Sequence, residues 1–288
     1  MVAVSDTRLR QGPQVVAHRG ASHDHPEHTL GAYLRAIEAG ADALECDVRL
    51  TADGHLVCVH DRRVDRTSSG RGKVSTLELA QLEGLDWSSW KAGRDLSTVA
   101  ELPDRDAGRL LTLRRLLSVV ADAGRPLEVA VETKHPTRYA GQVEQELYDV
   151  LDYFGWARPR PGRPSPVRVM SFSTLALQRV RALSPTLPLV QLLDHVPVRM
   201  RDGRLPRGVG TAGISVDLLR RDPRLVDALG RRGHPVHVWT VDEPDDVRRC
   251  LAAGVEAIIT NRPDAVLAQL VAAGVRRGEP VSPGSGLP

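Results

Sequence analysis

The residues of this chain that could do chemistry stand at the ends of short apolar runs, several of them in pairs two positions apart. His18-Arg19 closes the run 14–18, Glu45 and Asp47 lie within 43–48, His60-Asp61 closes a run that starts at Leu56, and Glu132 and Lys134 bracket the end of 127–133. Side chains two apart on a strand point to one face. Glu45 therefore shares a face with Asp47, and Glu132 with Lys134. Carboxylates on buried strands are costly and repel one another unless something neutralises them. A divalent cation would do so, and an all-oxygen donor set favours Ca²⁺ or Mg²⁺ over a softer metal. The competing reading is a structural network in which Arg and Lys neutralise the acids. Imidazoles at His18 and His60 suit general acid/base work near neutral pH, although either one alone is a common structural residue. Arg19 offers a two-pronged donor to a phosphate-like anion, and Lys134 a point charge.

The elements that must position these groups alternate along the chain. Strand-like runs recur at 14–18, 43–48, 127–133, 167–171, 187–193, 213–216, 235–241 and 256–260. Helical spacing separates them: Leu30, Tyr33, Leu34 and Ile37 close at Gly40, and Thr112 can cap a helix that ends at Gly124. Further helices are expected at about 138–154, 173–183, 222–231, 243–253 and 263–273. A hairpin partner at 56–60 lies across Asp53-Gly54 from the second run. The junctions Gly40-Ala41-Asp42-Ala43-Leu44 and Gly254-Val255-Glu256-Ala257-Ile258 are alike, as a repeated βα unit requires. Eight parallel candidates predict a (β/α)8 TIM barrel, with active residues gathered at the C-terminal ends of the strands. A doubly wound open sheet is the competitor, but no Gly-x-Gly-x-x-Gly follows the first run. Residues 1–273 are read as one barrel domain carrying a small insertion or cap at 61–111, after the hairpin. The Pro- and Arg-rich 157–166 is a loop, and the Gly/Pro/Ser-rich 274–288 is expected to be a disordered tail.

Composition narrows the function classes. Acids and bases nearly balance at 36 and 39, and aromatics are only 3%, which argues against nucleic-acid binding by charge or by base stacking. Only three of the basic residues are Lys (Lys73, Lys91, Lys134), and the Arg are scattered rather than set in a stripe. No apolar run approaches the ~20 residues that cross a bilayer, so no stable membrane insertion is expected. The first 13 residues lack the apolar core of a secretory signal, and three unpaired-looking cysteines fit a reducing compartment, so a cytoplasmic location is expected. Cys46, between the two acids of its strand, should point away from them into the core. The segment His23-Asp24-His25-Pro26-Glu27-His28 is read as a solvated loop rather than a softer metal site.

Taken jointly, His18-Arg19-Gly20, Pro26-Glu27-His28-Thr29, Glu45-x-Asp47, His60-Asp61 and Glu132-x-Lys134 resemble the glycerophosphodiester phosphodiesterase family. The resemblance continues through Asp65-Arg66-Thr67, Gly70-Arg71-Gly72-Lys73-Val74, Leu85-Asp86-Trp87-Ser88-Ser89-Trp90, Val238-Trp239-Thr240-Val241-Asp242 and Gly254 to Pro263, covering about residues 14–270. It implies a metal-dependent barrel hydrolase, of the bacterial short-insertion type, that splits glycerophosphodiesters such as glycerophosphocholine into glycerol 3-phosphate and an alcohol. By the same resemblance Glu45, Asp47 and Glu132 hold the metal, and His18 and His60 act as acid and base. Arg19 and Lys134 bind phosphate, and Glu27 and His28 stand behind these groups. Trp239, which ends the seventh strand candidate, either shapes the glycerol or head-group pocket or packs in the core. The alternatives are a lysophospholipase D-like enzyme and a non-catalytic barrel that binds phosphodiesters. Three positions depart from the usual pattern: His28 stands where Asn is common, Asp242 where Asn is common, and Asn261 where Asp is common. Trp87 and Trp90 either close over substrate or anchor the insertion.

Overall fold

In a computed structural model, which describes residues 12–91, 108–138, 141–160, 162 and 164–276, eight parallel strands close into a barrel. They are β1 (Gln14–His18), β2 (Ala43–Leu50), β4 (Glu128–Thr133), β5 (Val167–Ser171), β6 (Leu189–Leu193), β7 (Thr211–Ser215), β8 (Val236–Trp239) and β9 (Ala257–Thr260). Each pairs with its neighbour in parallel, and the β1–β2 and β1–β9 pairings close the ring. The ninth strand, β3 (Leu56–Cys58), runs antiparallel to β2 as the hairpin partner. It is shorter than the sequence suggests. Val59 still donates to the Asp47 carbonyl, but at His60 the chain turns outward and Arg49 takes over its carbonyl at 2.7 and 2.9 Å.

The helices are α1 (Leu30–Glu38), α2 (Leu79–Glu83), α3 (Leu113–Ala121), α4 (Gln142–Tyr153), α5 (Thr174–Leu183), α6 (Val216–Arg221), α7 (Arg224–Arg231), α8 (Pro244–Ala253) and α9 (Pro263–Ala272). Thr29, Thr112, Ser173 and Ser215 each cap the helix that follows through the side-chain oxygen. The Ser215 cap starts α6, a short helix that the periodicity does not reveal. Asp222-Pro223 then breaks the chain before α7, so the helix expected at 222–231 is α7, with α6 as an additional helix before it.

Alternation along the strands sorts the core into layers. Val16, Ala43, Ala130, Met170, Val190, Leu192, Ala257 and Ile259 fill the inside of the barrel. Leu44, Cys46, Val48, Val129 and Val131 face outward against Tyr33, Leu116 and Leu117 of the helices. Cys46 thus points away from its acidic neighbours. With Glu45 and Asp47 on the inward face of the same strand, the site rests directly on the packed floor of the barrel.

The 61–111 insertion has a small core of its own on the hairpin: Val57, Val59, Val64, Val74, Leu82 and Trp87. Its residues 92–107 lie outside the described residues. Of the tail, residues 277–288 also lie outside them, while Arg276 is tied down, donating to both oxygens of Asp42 at 2.7 and 3.0 Å.

The turn that delivers His18 and Arg19 to the mouth depends on one glycine. Gly20 has φ +85°, and a Cβ there would come within 2.6 Å of the Ala32 carbonyl carbon on α1. Gly20→Ala is expected to lower stability by about 2 kcal/mol or more, read from the urea midpoint, because strain and a backbone clash act together. An unchanged midpoint would mean that this turn can move freely.

Candidate active site

Register places the chemistry on neighbouring rungs near the C-terminal ends of the strands. His18 is paired with Glu45 across β1–β2, and Asp47 with Glu132 across β2–β4. Glu45, Asp47 and Glu132 are all buried, and each offers a carboxylate oxygen within 4.8 Å of the others. Arg19 and Lys134 reach into the cluster. Arg19 Nε lies 3.0 Å from Asp47 Oδ2, and Lys134 Nζ lies 2.8 Å from Glu132 Oε1 and 3.2 Å from Asp47 Oδ1.

A structural network and a cation site make different demands on these acids. Against the burial that opposes it, Asp47 is held well below the usual carboxylate range by His28, Arg19 and Lys134. Glu45 is served differently: one backbone N–H, from Arg19, reaches its Oε2 at 3.1 Å, and His18 Nε2 stands 3.9 Å away. Burial and the Asp47 charge push Glu45 well above its ordinary value, and the same two causes push Glu132 up to about 8. Two basic side chains therefore do not neutralise three acids here. Asp47 Oδ1 also lacks any well-directed hydrogen bond. A hard divalent cation among three oxygen donors fits this arrangement, and Glu45, Asp47 and Glu132 are the residues that could hold it.

The two imidazoles flank the acids, and each is fixed from behind through Nδ1. His18 Nδ1 lies 2.7 Å from Asn261 Oδ1. The amide cannot be turned round, since its Nδ2 donates to Asp242 Oδ2 at 2.6 Å and a carboxylate only accepts. His18 Nδ1 therefore carries the proton, and its bare Nε2 faces the mouth. His60 Nδ1 donates to Asp61 Oδ1 at 2.7 Å, and Asp61 in turn accepts from Arg66 Nε at 2.6 Å. Burial, then the Arg19 charge, lower His18 to about 4; burial also lowers His60.

A barrel mouth with this arrangement invites comparison with known proteins. A model of the glycerophosphoryl diester phosphodiesterase family matches residues 18–265. The chain belongs to that family. It is 46% identical over 262 residues to a probable glycerophosphodiester phosphodiesterase 1 of Mycobacterium tuberculosis, covering 90% of this chain and 93% of the relative. It is 32% identical to a glycerophosphodiester phosphodiesterase of Bacillus subtilis, covering 86% of this chain and 83% of the relative. Among solved structures, an Oleispira antarctica phosphodiesterase in complex with the product sn-glycerol 3-phosphate shares the fold, with a TM-score of 0.72 at 22% identity over 90% of this chain and 97% of that one. As a member of the family, the chain is an enzyme, a phosphoric diester hydrolase.

Within this glycerophosphodiester phosphodiesterase barrel, the three departures from the usual pattern find physical accounts. His28, in the left-handed region at φ +61°, is buried between Tyr33 and Asp47: its Nε2 is 3.0 Å from Asp47 Oδ2 and its Nδ1 is 2.9 Å from the Tyr33 hydroxyl. Tyr33 in turn donates to the Glu45 carbonyl. Asp242 and Asn261 are direct partners, so the exchange keeps one carboxylate and one amide behind His18. Asn261→Asp alone would set two carboxylates about 2.6 Å apart. It is expected to cost at least tenfold in kcat, and adding Asp242→Asn should recover most of the loss, since the pair then regains one charge and one amide. If the double variant is as slow as the single one, the pair is not interchangeable.

Other expectations change in detail. The His23–His28 stretch is folded rather than solvated: His25 is buried, and Lys91 donates to the carbonyls of Ser22 and His25. Trp87 is buried in the insertion core, and Trp90 lies over Arg66 and Lys91. Both rings anchor the insertion. Trp239 donates to the Gly213 carbonyl and meets Phe172 edge-on, with ring centroids 5.4 Å apart. Ser22 and Phe172 were not singled out by the sequence. Ser22 Oγ lies within 2.8 Å of Asn261 Oδ1, a loop contact across 239 positions that no periodicity signals. Phe172 is visible only as the residue that follows a strand end.

Proposed function

We propose that this enzyme hydrolyses small glycerophosphodiesters, such as glycerophosphocholine or glycerophosphoethanolamine, to glycerol 3-phosphate and an alcohol. We propose further that it works with a divalent cation, Ca²⁺ or Mg²⁺, held by Glu45, Asp47 and Glu132. What supports this reading is the convergence of three buried acids, two back-fixed imidazoles and two cationic side chains at the strand ends. When bound, the cation supplies charge stabilisation to the phosphoryl oxygens and lowers the pKa of an oxygen nucleophile.

The protein's own residues supply the rest. Arg19 and Lys134, already aimed at the acids, bind the phosphate oxygens as charge builds on them. The rings differ in what lies behind them. Burial and the Arg19 charge outweigh the modest help of the neutral Asn261 amide, so His18 meets the substrate unprotonated and takes the proton of the attacking hydroxyl. Asp61 behind His60 offsets part of the burial that lowers it, so of the two rings His60 takes up a proton the more readily and gives it to the departing alcohol. Trp239 and Phe172 border the space for the glycerol or head group.

Product identification tests the reading. Incubation of glycerophosphocholine with the enzyme and Ca²⁺ or Mg²⁺ is expected to release glycerol 3-phosphate and choline in equal amounts. Release of phosphocholine and glycerol would place the cut on the other side of the phosphorus, and no product at all would leave a phosphodiester-binding barrel.

Cation affinity should depend on pH in a fixed direction. A Glu132 carboxyl raised to about 8 holds a proton at pH 7 that the cation must displace. Apparent affinity should therefore fall as pH drops below 8, by up to tenfold per unit, with protons released on binding. Calorimetry in buffers of different ionisation enthalpy would show the release, and affinity that is flat from pH 6 to 8 would contradict it.

A further inference from the structure

Among the described residues of the insertion, Arg66 is the side chain that reaches both halves of the reaction machinery. Its Nη1 and Nη2 grip the two oxygens of Glu27 at 2.9 and 2.8 Å, and its Nε donates to Asp61 at 2.6 Å. Each partner leads directly to a group in the mouth. Glu27 accepts from Arg19 Nη1 at 3.1 Å, and Asp61 accepts from His60 Nδ1 at 2.7 Å. The chain Arg19–Glu27–Arg66–Asp61–His60 thus crosses from the loop after β1 to the hairpin through a residue that belongs to neither. The insertion holds Arg66 in place. Trp90 lies 5.8 Å from its guanidinium, Trp90 Nε1 donates to the Trp87 carbonyl, and Lys91 fastens the same turn to the Ser22 and His25 carbonyls. Both acids are held down to about 2, against burial, first by their hydrogen bonds to Arg66. They therefore stay ionised, and the clamp stays charged, throughout the neutral range.

We propose that Arg66 is a positioning residue that aligns the phosphate-binding Arg19 and the proton-transferring His60 at once, making correct docking of the insertion a condition for turnover. This rests on the proposed roles of Arg19 and His60. Its chemistry is geometric. A planar guanidinium can serve a bidentate carboxylate along one edge and a second carboxylate through Nε, whereas an ammonium cannot hold both in fixed directions. Without Arg66, Asp61 and Glu27 are free to rotate towards water, and the groups they orient lose their alignment with them. Partners that orient a reacting or ligating group typically matter by 10–100-fold.

The test separates positioning from folding and from the underlying reaction. Wild-type enzyme is first assayed on glycerophosphocholine with added divalent cation; inactivity there would sink the hydrolase reading itself and is recorded apart from the variants. Arg66→Met is expected to lower kcat about 10- to 100-fold and to raise KM several-fold, while the insertion core and the Lys91 contacts keep the thermal midpoint within a few degrees. Arg66→Lys, which keeps the charge and loses the fork, should be nearly as slow. Asp61→Asn should lower mainly kcat, and Glu27→Gln should raise mainly KM. Adding Arg66→Met to the Asp61→Asn, Glu27→Gln double variant should then change neither constant more than twofold, because the interaction has already been cut. As a readout independent of turnover, ¹⁵N NMR should show His60 as a single Nδ1–H tautomer in the wild type and as a mixture in Arg66→Met. The proposal is overturned if Arg66→Met keeps kcat and KM within twofold, if Arg66→Lys is fully active, if the effects multiply in the cycle, or if the His60 tautomer does not change.

Discussion

Replacing His60 with Ala is expected to slow hydrolysis of glycerophosphocholine by about 10²–10⁴-fold, the usual contribution of one general acid. Most of that loss should vanish when the alcohol is a nitrophenolate. An alkoxide is a poor leaving group without a proton, and a nitrophenolate departs without one. His18→Ala should be as slow on both substrates, because the attacking hydroxyl must lose its proton whatever group departs. The asymmetry follows from the neighbours: neutral Asn261 behind His18 and ionised Asp61 behind His60. Steady-state kinetics with the two substrates and the two variants check it. Rescue of His18→Ala instead would exchange the roles, and rescue of neither would mean that proton donation to the alcohol is not the work of these rings. Both variants should keep the wild-type fold, since each ring stands at the mouth and is partly open to solvent.

The second large effect is expected at Asp47. It is the most connected acid of the site, with Arg19 Nε at 3.0 Å, His28 Nε2 at 3.0 Å and Lys134 Nζ at 3.2 Å. Asp47→Asn removes one cation ligand and the charge that holds two buried basic side chains. Activity should fall by about 10³-fold or more, and stability by about 3–5 kcal/mol, the usual cost of leaving buried charge unpaired. Glu132→Gln makes the control. Burial and Asp47 already favour the neutral form of Glu132 when no cation is present, so the amide should abolish turnover while stability without cation changes by less than about 1 kcal/mol. Urea titrations beside activity assays separate the two. Equal destabilisation by both variants would show that Asp47 is not the electrostatic centre of the site.

The sequence made the barrel legible for a definite reason. Parallel strands buried on both faces appear as short apolar runs, and the eight runs from 14–18 to 256–260 coincide with β1, β2 and β4 to β9 to within about two residues at each end. The catalytic candidates were legible because chemistry at strand ends interrupts those runs with charge: Glu45 and Asp47, set among Ala43, Leu44, Cys46 and Val48 of β2, could not be read as core. What escaped lies in loops, where no period links one residue to another. Arg66 stood out only as part of a motif, and its reach to Glu27, 39 positions away, comes from the docking of the insertion. α6 was hidden because a six-residue helix shows too few turns to display a face, and only Ser215 signals its start. Sequence alone leaves Trp90 with two opposite readings, because its contacts with the Arg66 guanidinium and the Lys91 ammonium arise only in the folded insertion.

Three buried carboxylates are proposed to gather a divalent cation on which phosphodiester hydrolysis depends. Release of glycerol 3-phosphate from glycerophosphocholine, measured before chelation with EDTA, after it, and again after adding back Ca²⁺ or Mg²⁺, tests this most directly. Turnover should drop by at least two orders of magnitude on chelation and return with one of the two ions in wild type, but not in Glu132→Gln. Turnover that survives complete chelation would contradict the account.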